Sequence, residues 1–247
     1  MICLDIDCGI AKCRFDIGAV NAFAKTDIEA LDSLITRCEQ QADVRLLALT
    51  SDKISPNGHP IFCAGANQKE RKNWSEKQIL EHLTYQRNVV QRLRTSRLCT
   101  VCCVNGLALG LGAELCLASD YTLASEKAMF AFPEVEWGIV PGAGGWAWAH
   151  GWAIHPNEAM GCIESGKRFS ADYARWLGIV DFICPSHDMD AYCQNIAQNL
   201  LTNFSLPDSE QAYLNKKIDY DFWFHEEQNA YAQKLHETWS EHHSESE

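Results

Sequence analysis

Residues 99–120, CTVCCVNGLALGLGAELCLASD, contain a predicted change from strand to helix, and the fold class can be predicted from this stretch. The first part, 99–106, is a short apolar run with two valines, which predicts a buried strand. Glycines then predict a turn, and GLGAELCLASD (110–120) predicts a short helix that ends in a polar turn. Because a strand leading through a turn into a helix is typical of α/β folds, this stretch predicts the fold class.

The flanking sequence continues the alternation of strand and helix. Residues 1–20 predict a hairpin, and the apolar periodicity predicts further elements in the first half of the chain: helices at 26–41 and 75–97 and strands at 44–51 and within 121–132. The remaining sequence predicts mainly helices, at 143–164, 170–177, 188–203 and 220–240. We therefore expect an α/β core over residues 1–185 and a C-terminal helical region over 186–247, which would cap the core or contact another subunit.

Composition and charge exclude several classes of protein. The 247 residues are 47% hydrophobic and 22% charged, which is ordinary globular composition with enough chain for a sizeable core. No apolar run approaches the roughly 20 residues of a membrane-spanning helix, and Asp5 and Asp7 interrupt the segment where a secretory signal would be apolar. The net charge of −12 opposes non-specific binding to nucleic acid. We expect a cytoplasmic protein with neither a nucleic acid nor a membrane as its partner.

The 12 cysteines raise the alternatives of disulfides and of a zinc site. Half of them lie inside apolar runs, where a thiol acts as a small hydrophobic side chain: Cys3, Cys99, Cys102, Cys103, Cys116 and Cys162. The pair Cys99 and Cys102 has the spacing of a zinc-binding motif, but no second pair accompanies it. The sequence therefore predicts reduced thiols and no metal.

The glycine-rich turn is the first segment that could take part in catalysis. A dinucleotide-binding motif would need a third glycine at position 115, where Leu115 stands. The backbone amides near Gly110, Leu111 and Gly112 would point outward at the start of a helix, which suits an oxyanion, and Glu114 follows one turn later. The alternative is that the glycines only permit close packing and that Glu114 is a solvated residue, and this segment alone does not decide between the two.

Two other segments have a similar character. FCAGAN (62–67) combines small residues, a glycine and a polar residue, whereas FPEVEWGIVPGAGG (132–145) places Glu134 between a proline and an apolar run. A glutamate in apolar surroundings keeps its proton more readily, which suits proton donation near neutral pH. The alternative for Glu134 is an ordinary glutamate of a surface loop.

Together, these three segments resemble the crotonase superfamily, also called the enoyl-CoA hydratase/isomerase superfamily. SGKRFSADYARWLGIVDFICP (165–185) is similar to the stretch that follows the active site in that family, and the resemblance covers roughly residues 10–240. It implies an α/β fold, the crotonase-like spiral of ββα units with a C-terminal helical region. It also implies assembly as a homotrimer or as a hexamer built from two trimers.

The resemblance assigns roles residue by residue. The two amides that bind the thioester oxygen fall on Ala66 and Leu111, the residue that activates water falls on Glu114, and the acid that protonates the α-carbon falls on Glu134. A glycine is usual at the second amide position, so Leu111 is a departure that would keep the N–H and narrow the pocket.

Other positions concern the coenzyme A part of the substrate. Lys69 falls near its phosphates, Lys234 matches the lysine of the C-terminal pattern, and Ala64 and Gly110 complete the expected substrate-binding residues. Gly142 stands where dienoyl-CoA isomerases and hydroxyisobutyryl-CoA hydrolases have an aspartate.

The implied function is hydration or dehydration of an enoyl thioester, with coenzyme A as part of the substrate and no separate cofactor. Three alternatives remain open: an enoyl-CoA double-bond isomerase, which needs only one carboxylate, a dehydratase of carrier-protein-bound acyl groups in secondary metabolism, and a non-catalytic protein that kept the fold. The presence of both glutamates and both amide segments argues against the last.

Overall fold

Strands and helices alternate through most of the computed structural model, which describes residues 1–203 and 223–238. In chain order the strands are β1 (Ile2–Asp7), β2 (Ile10–Phe15), β3 (Ala22–Phe23), β4 (Leu46–Ser51), β5 (Ile61–Cys63), β6 (Gly65–Ala66), β7 (Cys99–Val104), β8 (Leu107–Leu109), β9 (Tyr121–Ser125), β10 (Met129–Ala131), β11 (Phe169–Ser170) and β12 (Phe182–Cys184). The helices are α1 (Lys25–Gln40), α2 (Glu76–Arg94), α3 (Leu111–Ala118), α4 (Gly145–Gly151), α5 (Pro156–Ser165), α6 (Ala171–Trp176), α7 (Met189–Asn203) and α8 (223–238). The predicted α/β class is confirmed.

The largest sheet has six strands in the order β1–β2–β4–β7–β9–β12. β1 and β2 form the predicted antiparallel hairpin, and every later neighbour pair in this sheet is parallel. Successive residues of β4 face opposite sides: Leu47 and Leu49 enter the main core, whereas Leu46 and Ala48 enter a second cluster. Burial on both faces explains why this strand is a continuous apolar run and not an alternating one.

A smaller sheet, in the order β11–β10–β8–β5, brings distant motifs together. β8 pairs in parallel with both β5 and β10, so Leu107 lies opposite Ile61 on one side and Met129 on the other. Since the carboxyl ends of parallel strands meet at one edge, the segments that follow β5, β8 and β10 converge there. These segments carry the three motifs of interest.

Helix α7 covers the second face of the large sheet, where Met189, Cys193 and Ala197 pack against it. Here the prediction that all the thiols are reduced is wrong, because Cys103 of β7 forms a disulfide with Cys193 of α7. Their Cα atoms are 6.3 Å apart, within the range that a disulfide spans. Ten other cysteines are free thiols.

The helical predictions hold in outline and differ in their bounds. Helix α2 begins after Ser75 as predicted, with the Ser75 hydroxyl accepting a hydrogen bond from the Gln78 amide. The helix predicted over 143–164 is two helices, since Pro156 begins α5 and a proline cannot continue the helix before it. Residues 223–238 of the helix predicted over 220–240 are helical, and the rest of that prediction lies outside the described residues.

The C-terminal region does not form one layer in the part of the chain that the structure describes. α7 packs on the large sheet, whereas α8 packs through Tyr231 and Leu235 against Ile79 and Leu83 of α2 and against Ile139. Helix α8 thus covers part of the third motif, ahead of α4. None of the described helices is both long enough and apolar enough to cross a membrane.

The disulfide can be tested by peptide mapping. Unfolding the protein in iodoacetamide without a reductant should leave Cys103 and Cys193 unmodified and joined, because a disulfide does not react with the reagent. Cys102 and Cys184, both free and buried, should be alkylated in the same sample and serve as the control. Alkylation of Cys103 and Cys193 without prior reduction would contradict the pairing.

Candidate active site

Two glycines let the first motif approach the second. Gly65 has a φ of +97°, and a Cβ atom at this position would lie 3.0 Å from the carbonyl oxygen of Leu109 and 3.8 Å from the amide nitrogen of Leu111. Gly110 has a φ of +50° and donates its N–H to the carbonyl of Ala131 at 2.9 Å. The segment that contains Ala66 therefore packs directly against the first residue of α3. Because Leu111 begins that helix, its amide has no partner within the helix.

Glu114 is buried beneath this turn, with only 2% of its surface exposed. Its Oε1 accepts hydrogen bonds from the amides of Ala143, at 2.7 Å, and Gly145, at 3.1 Å. Burial raises the pKa of this carboxyl, while the two amides and the charges of Arg87 and Arg71 act in the opposite direction. The alternative that Glu114 is a solvated first-turn residue is wrong.

Glu134 faces the same turn from a 3₁₀ helix, Pro133–Trp137. A Cβ atom at Gly110 would lie 2.5 Å from Glu134 Oε1, so the absent side chain at residue 110 is what makes room for this carboxyl. Glu134 Oε2 is sealed from solvent and has no hydrogen-bond partner among the described residues. Burial, and then the charge of Glu114, raise the pKa of Glu134 well above its ordinary value. The residue as a whole is half-buried, so the alternative of an ordinary surface glutamate does not describe its carboxyl group, whose Oε2 is buried.

A third buried carboxylate, Glu227 of α8, was not predicted from the sequence. It is 0% exposed and accepts hydrogen bonds from the amides of Gly144, at 3.0 and 3.1 Å, and of Ala147, at 3.0 Å. It also forms an ion pair with Nε of Arg87 on α2, at 3.3 Å. Burial and the nearby Glu114 raise the pKa of Glu227, whereas the charge of Arg87 and the Ala147 amide act in the opposite direction and favour the ionised form. A negative charge on this helix face has no local pattern that would identify it as buried.

The buried charges balance only if one proton stays in the cluster. Glu114, Glu134 and Glu227 face two buried guanidinium groups, Arg71 and Arg87. Glu114 and Glu227 each accept two amide N–H groups, whereas Glu134 Oε2 has no partner among the described residues. The carboxyl that has the fewest donors and lies near a like charge is the one that keeps its proton. The arrangement therefore favours a protonated Glu134 beside an ionised Glu114.

The side chain of Leu111 does not narrow a pocket beside the turn. It is 2% exposed and belongs to the main hydrophobic core. The leucine that stands at this position in place of the usual glycine turns its side chain into the core.

The remaining predicted substrate-binding residues divide into two groups. Ala64 and Gly110 flank the turn, and the Ala64 amide donates to the carbonyls of Val20 and Asn21, at 3.2 Å each. Lys69 and Lys234 are exposed and lie outside the buried cluster. Lys234 Nζ contacts Glu237 Oε2 at 2.9 Å on the surface of α8. Within residues 1–203 and 223–238, no group of three or more His, Cys, Asp or Glu side chains is arranged to hold a metal ion.

Comparison with known sequences identifies relatives over most of the chain. The model of the enoyl-CoA hydratase/isomerase family matches residues 5–246. The Bacillus subtilis (strain 168) protein YngF, named as an enoyl-CoA hydratase/isomerase, is 30% identical over 220 residues, which are 88% of this chain and 82% of YngF. The enoyl-CoA isomerase/hydratase fer4 of Mycosarcoma maydis is 36% identical over 154 residues, and that match spans 62% of this chain and 56% of fer4.

Comparison with solved structures gives the same fold. The crystal structure of an enoyl-CoA hydratase from Bacillus anthracis superposes with a TM-score of 0.79 at 28% identity, covering 95% of this chain and 91% of that one. A structure from Mycobacterium thermoresistibile, titled as a probable enoyl-CoA hydratase, superposes with a TM-score of 0.81 at 21% identity, covering 97% and 98% of the two chains. The spiral fold predicted from the sequence is confirmed.

The burial of Leu111 predicts that its side chain supports stability. Leu111→Ala should lower the free energy of unfolding by about 2–5 kcal/mol, the cost of truncating a buried leucine. Leu117→Ala on the same helix is the matched control, because Leu117 is only half-buried, and it should cost less. Equal and small losses in the two variants, measured by denaturant unfolding, would show that Leu111 does not face the core.

The ion pair between Glu227 and Arg87 predicts that substitutions at the two residues have strongly coupled effects on the free energy of unfolding. Glu227→Ala should cost about 3–5 kcal/mol of unfolding free energy, because it leaves a buried guanidinium without its counter-charge. Replacing both residues, with Glu227→Ala and Arg87→Met in one chain, should cost less than the sum of Glu227→Ala alone and Arg87→Met alone. Additive losses in this double-mutant cycle would contradict a direct interaction.

Proposed function

The chain belongs to the enoyl-CoA hydratase/isomerase family, and we propose that it adds water across, or eliminates water to form, the 2,3 double bond of an acyl thioester. The observation that carries this proposal is the pair of buried carboxyls on either side of Gly110. One has two hydrogen-bond donors and the other has an oxygen with none among the described residues, so their environments favour opposite protonation states. Addition of water needs both a base and an acid.

In this mechanism the amides of Ala66 and Leu111 receive the thioester oxygen. Donors at the start of a helix stabilise the negative charge that develops on this oxygen as the enolate forms. The close approach of Gly65 to Leu109 and Leu111 supports the placement of the two amides on one side of the turn. A side chain at residue 65 would separate them.

Glu114 then acts as the base and Glu134 as the acid. Ionised Glu114 takes a proton from water while the water oxygen attacks C3, and protonated Glu134 delivers its proton to C2. In dehydration the same two groups act in reverse: Glu134 removes the C2 proton, and Glu114 protonates the leaving hydroxyl. Hydration leaves Glu114 protonated and Glu134 ionised, which are the states that dehydration requires. The starting states return when a proton leaves Glu114 and one reaches Glu134, by exchange with solvent.

Double-bond isomerisation is the second candidate, because the fungal relative is named as both an isomerase and a hydratase. An isomerase moves a proton between C2 and C4 and needs only one carboxyl, so the second would have no assigned role. The presence of two carboxyls at the turn favours hydration.

The acyl carrier is proposed to be coenzyme A. Lys69 and Lys234 are exposed cations that would meet its phosphates, which compensates locally for the acidic net charge. A carrier-protein thioester is the alternative and would dock on the same face. We further propose a homotrimer or a hexamer of two trimers, supported by large apolar side chains that are exposed on the described surface, among them Trp137, Ile154 and Trp176.

Glutamine variants test the two carboxyls. Glu114→Gln and Glu134→Gln should each lower the rate of crotonyl-CoA hydration about 10²- to 10⁴-fold, the usual contribution of a positioned base or acid. Binding of the substrate should change little, because glutamine keeps the shape of the side chain. Parallel assays with a 3-enoyl-CoA measure isomerisation. Turnover only of the 3-enoyl substrate, with loss in one variant alone, would favour an isomerase.

The pH profile distinguishes the base from the acid. Hydration should fail at alkaline pH as Glu134 loses its proton, and the raised pKa of Glu134 moves this limb upward from the ordinary range of a carboxyl. It should fail at acid pH as Glu114 becomes protonated. The residual activity of Glu134→Gln should lack the alkaline limb and keep the acid one. Loss of the acid limb instead would reverse the two roles.

A further inference from the structure

Arg71 is a buried cation that the proposed mechanism does not use. It lies five residues after Ala66, in the 3₁₀ helix Glu70–Asn73 that follows the first motif, and is 7% exposed. Desolvation lowers the pKa of Arg71, and its charge acts on both Glu114 and Glu134. Arg71 hydrogen-bonds to Gln86, which adjoins Arg87 on α2, so its guanidinium lies in the buried cluster that contains Glu114 and Glu227.

The hydrogen-bond partner of the Arg71 guanidinium is neutral. One guanidinium nitrogen donates to Gln86 Oε1 at 3.1 Å, and the buried Tyr231 also interacts with this side chain. His82 lies nearby, and burial together with the charge of Arg71 lowers the pKa of His82 to about 4, so that it is uncharged at neutral pH. The adjacent Glu70 is engaged elsewhere, accepting the backbone amide of Lys25 at 2.9 Å.

Arg87, the other buried arginine of this cluster, has a carboxylate partner. Arg87 pairs with Glu227 at 3.3 Å, whereas no carboxylate oxygen of the described residues lies within 4.0 Å of the Arg71 guanidinium. A buried guanidinium without a direct counter-charge is costly, and one neutral acceptor, Gln86, uses only part of its five N–H donors. Arg71 thus retains donors for an anionic group.

We propose that Arg71 binds a carboxylate at the far end of the acyl chain, so that the preferred substrates are thioesters of short dicarboxylic acids. This inference rests on the proposed function, since it takes the space beside Glu114 and Glu134 to be the acyl site. A guanidinium is suited to this role because its planar fork matches a carboxylate in two parallel hydrogen bonds. A plain hydrocarbon chain would leave those N–H donors of Arg71 without an acceptor.

Binding of saturated thioesters tests the proposal without any need for turnover. Glutaryl-CoA and pentanoyl-CoA have the same chain length and differ only in a terminal carboxylate or methyl, and adipoyl-CoA and hexanoyl-CoA form a second pair one carbon longer. Calorimetry on the full chain should give at least about a tenfold lower Kd for the dicarboxylic member of one pair, because a charged, desolvated hydrogen-bonded pair contributes that much. Arg71→Met should abolish this ratio, and Arg71→Lys should keep part of it.

The ratio of the two Kd values within a pair distinguishes a direct contact with Arg71 from a general loss of stability. A variant that is merely less stable changes both Kd values alike, and the melting temperature of each variant reports its stability independently. Equal affinity for both members of both pairs in the unmodified protein, or a ratio that survives in Arg71→Met, would overturn the proposal. Failure of the proposed function gives a different result: discrimination between the thioesters without hydration of glutaconyl-CoA or 2-pentenoyl-CoA.

Discussion

The turn at residues 143–147 is the constraint on which the rest of the site depends, because two buried carboxylates share its amides. Glu114 accepts the amides of residues 143 and 145, and Glu227 accepts those of residues 144 and 147. Through these bonds the turn joins α3 to α8, and through Arg87 it joins both to α2. Unpaired amides at the start of α4 would be costly to bury, so each carboxylate satisfies donors that the turn itself leaves open.

The small sheet supplies the second constraint. Parallel pairing of β8 with β5 and β10 sets three loops at one edge, but pairing alone would leave them a side chain apart. Gly65 and Gly110 remove that separation, and both have φ values that other residues rarely adopt. The space freed at Gly110 is taken by the Glu134 carboxyl. The glycines therefore act as part of the site, in addition to shaping the backbone.

The fold and part of the site could be predicted because their determinants are local. The strand, turn and helix around residue 110 follow from periodicity and glycine spacing, and the motif resemblance singled out Glu114 and Glu134. Arg71 and Glu227 could not be found in this way, since each is a charged residue in a stretch rich in charged residues and only the packing of distant helices buries it. The pairing of Cys103 with Cys193 likewise depends on α7 crossing the sheet, 90 residues later. The break before Pro156 was visible in the sequence, because a proline cannot continue a helix.

The presence of Glu227 gives a physical reason why Glu114 is proposed to be the base and Glu134 the acid. With only those two carboxyls, the charges of Arg71 and Arg87 would be balanced with both glutamates ionised, and no acid would remain at neutral pH. A third buried carboxyl makes that state one negative charge too many, which a desolvated cluster resists. The retained proton goes to the carboxyl with the fewest donors, and Glu134 Oε2 has none among the described residues. A residue of α8 that need not touch the reacting atoms can thus keep the proposed acid protonated.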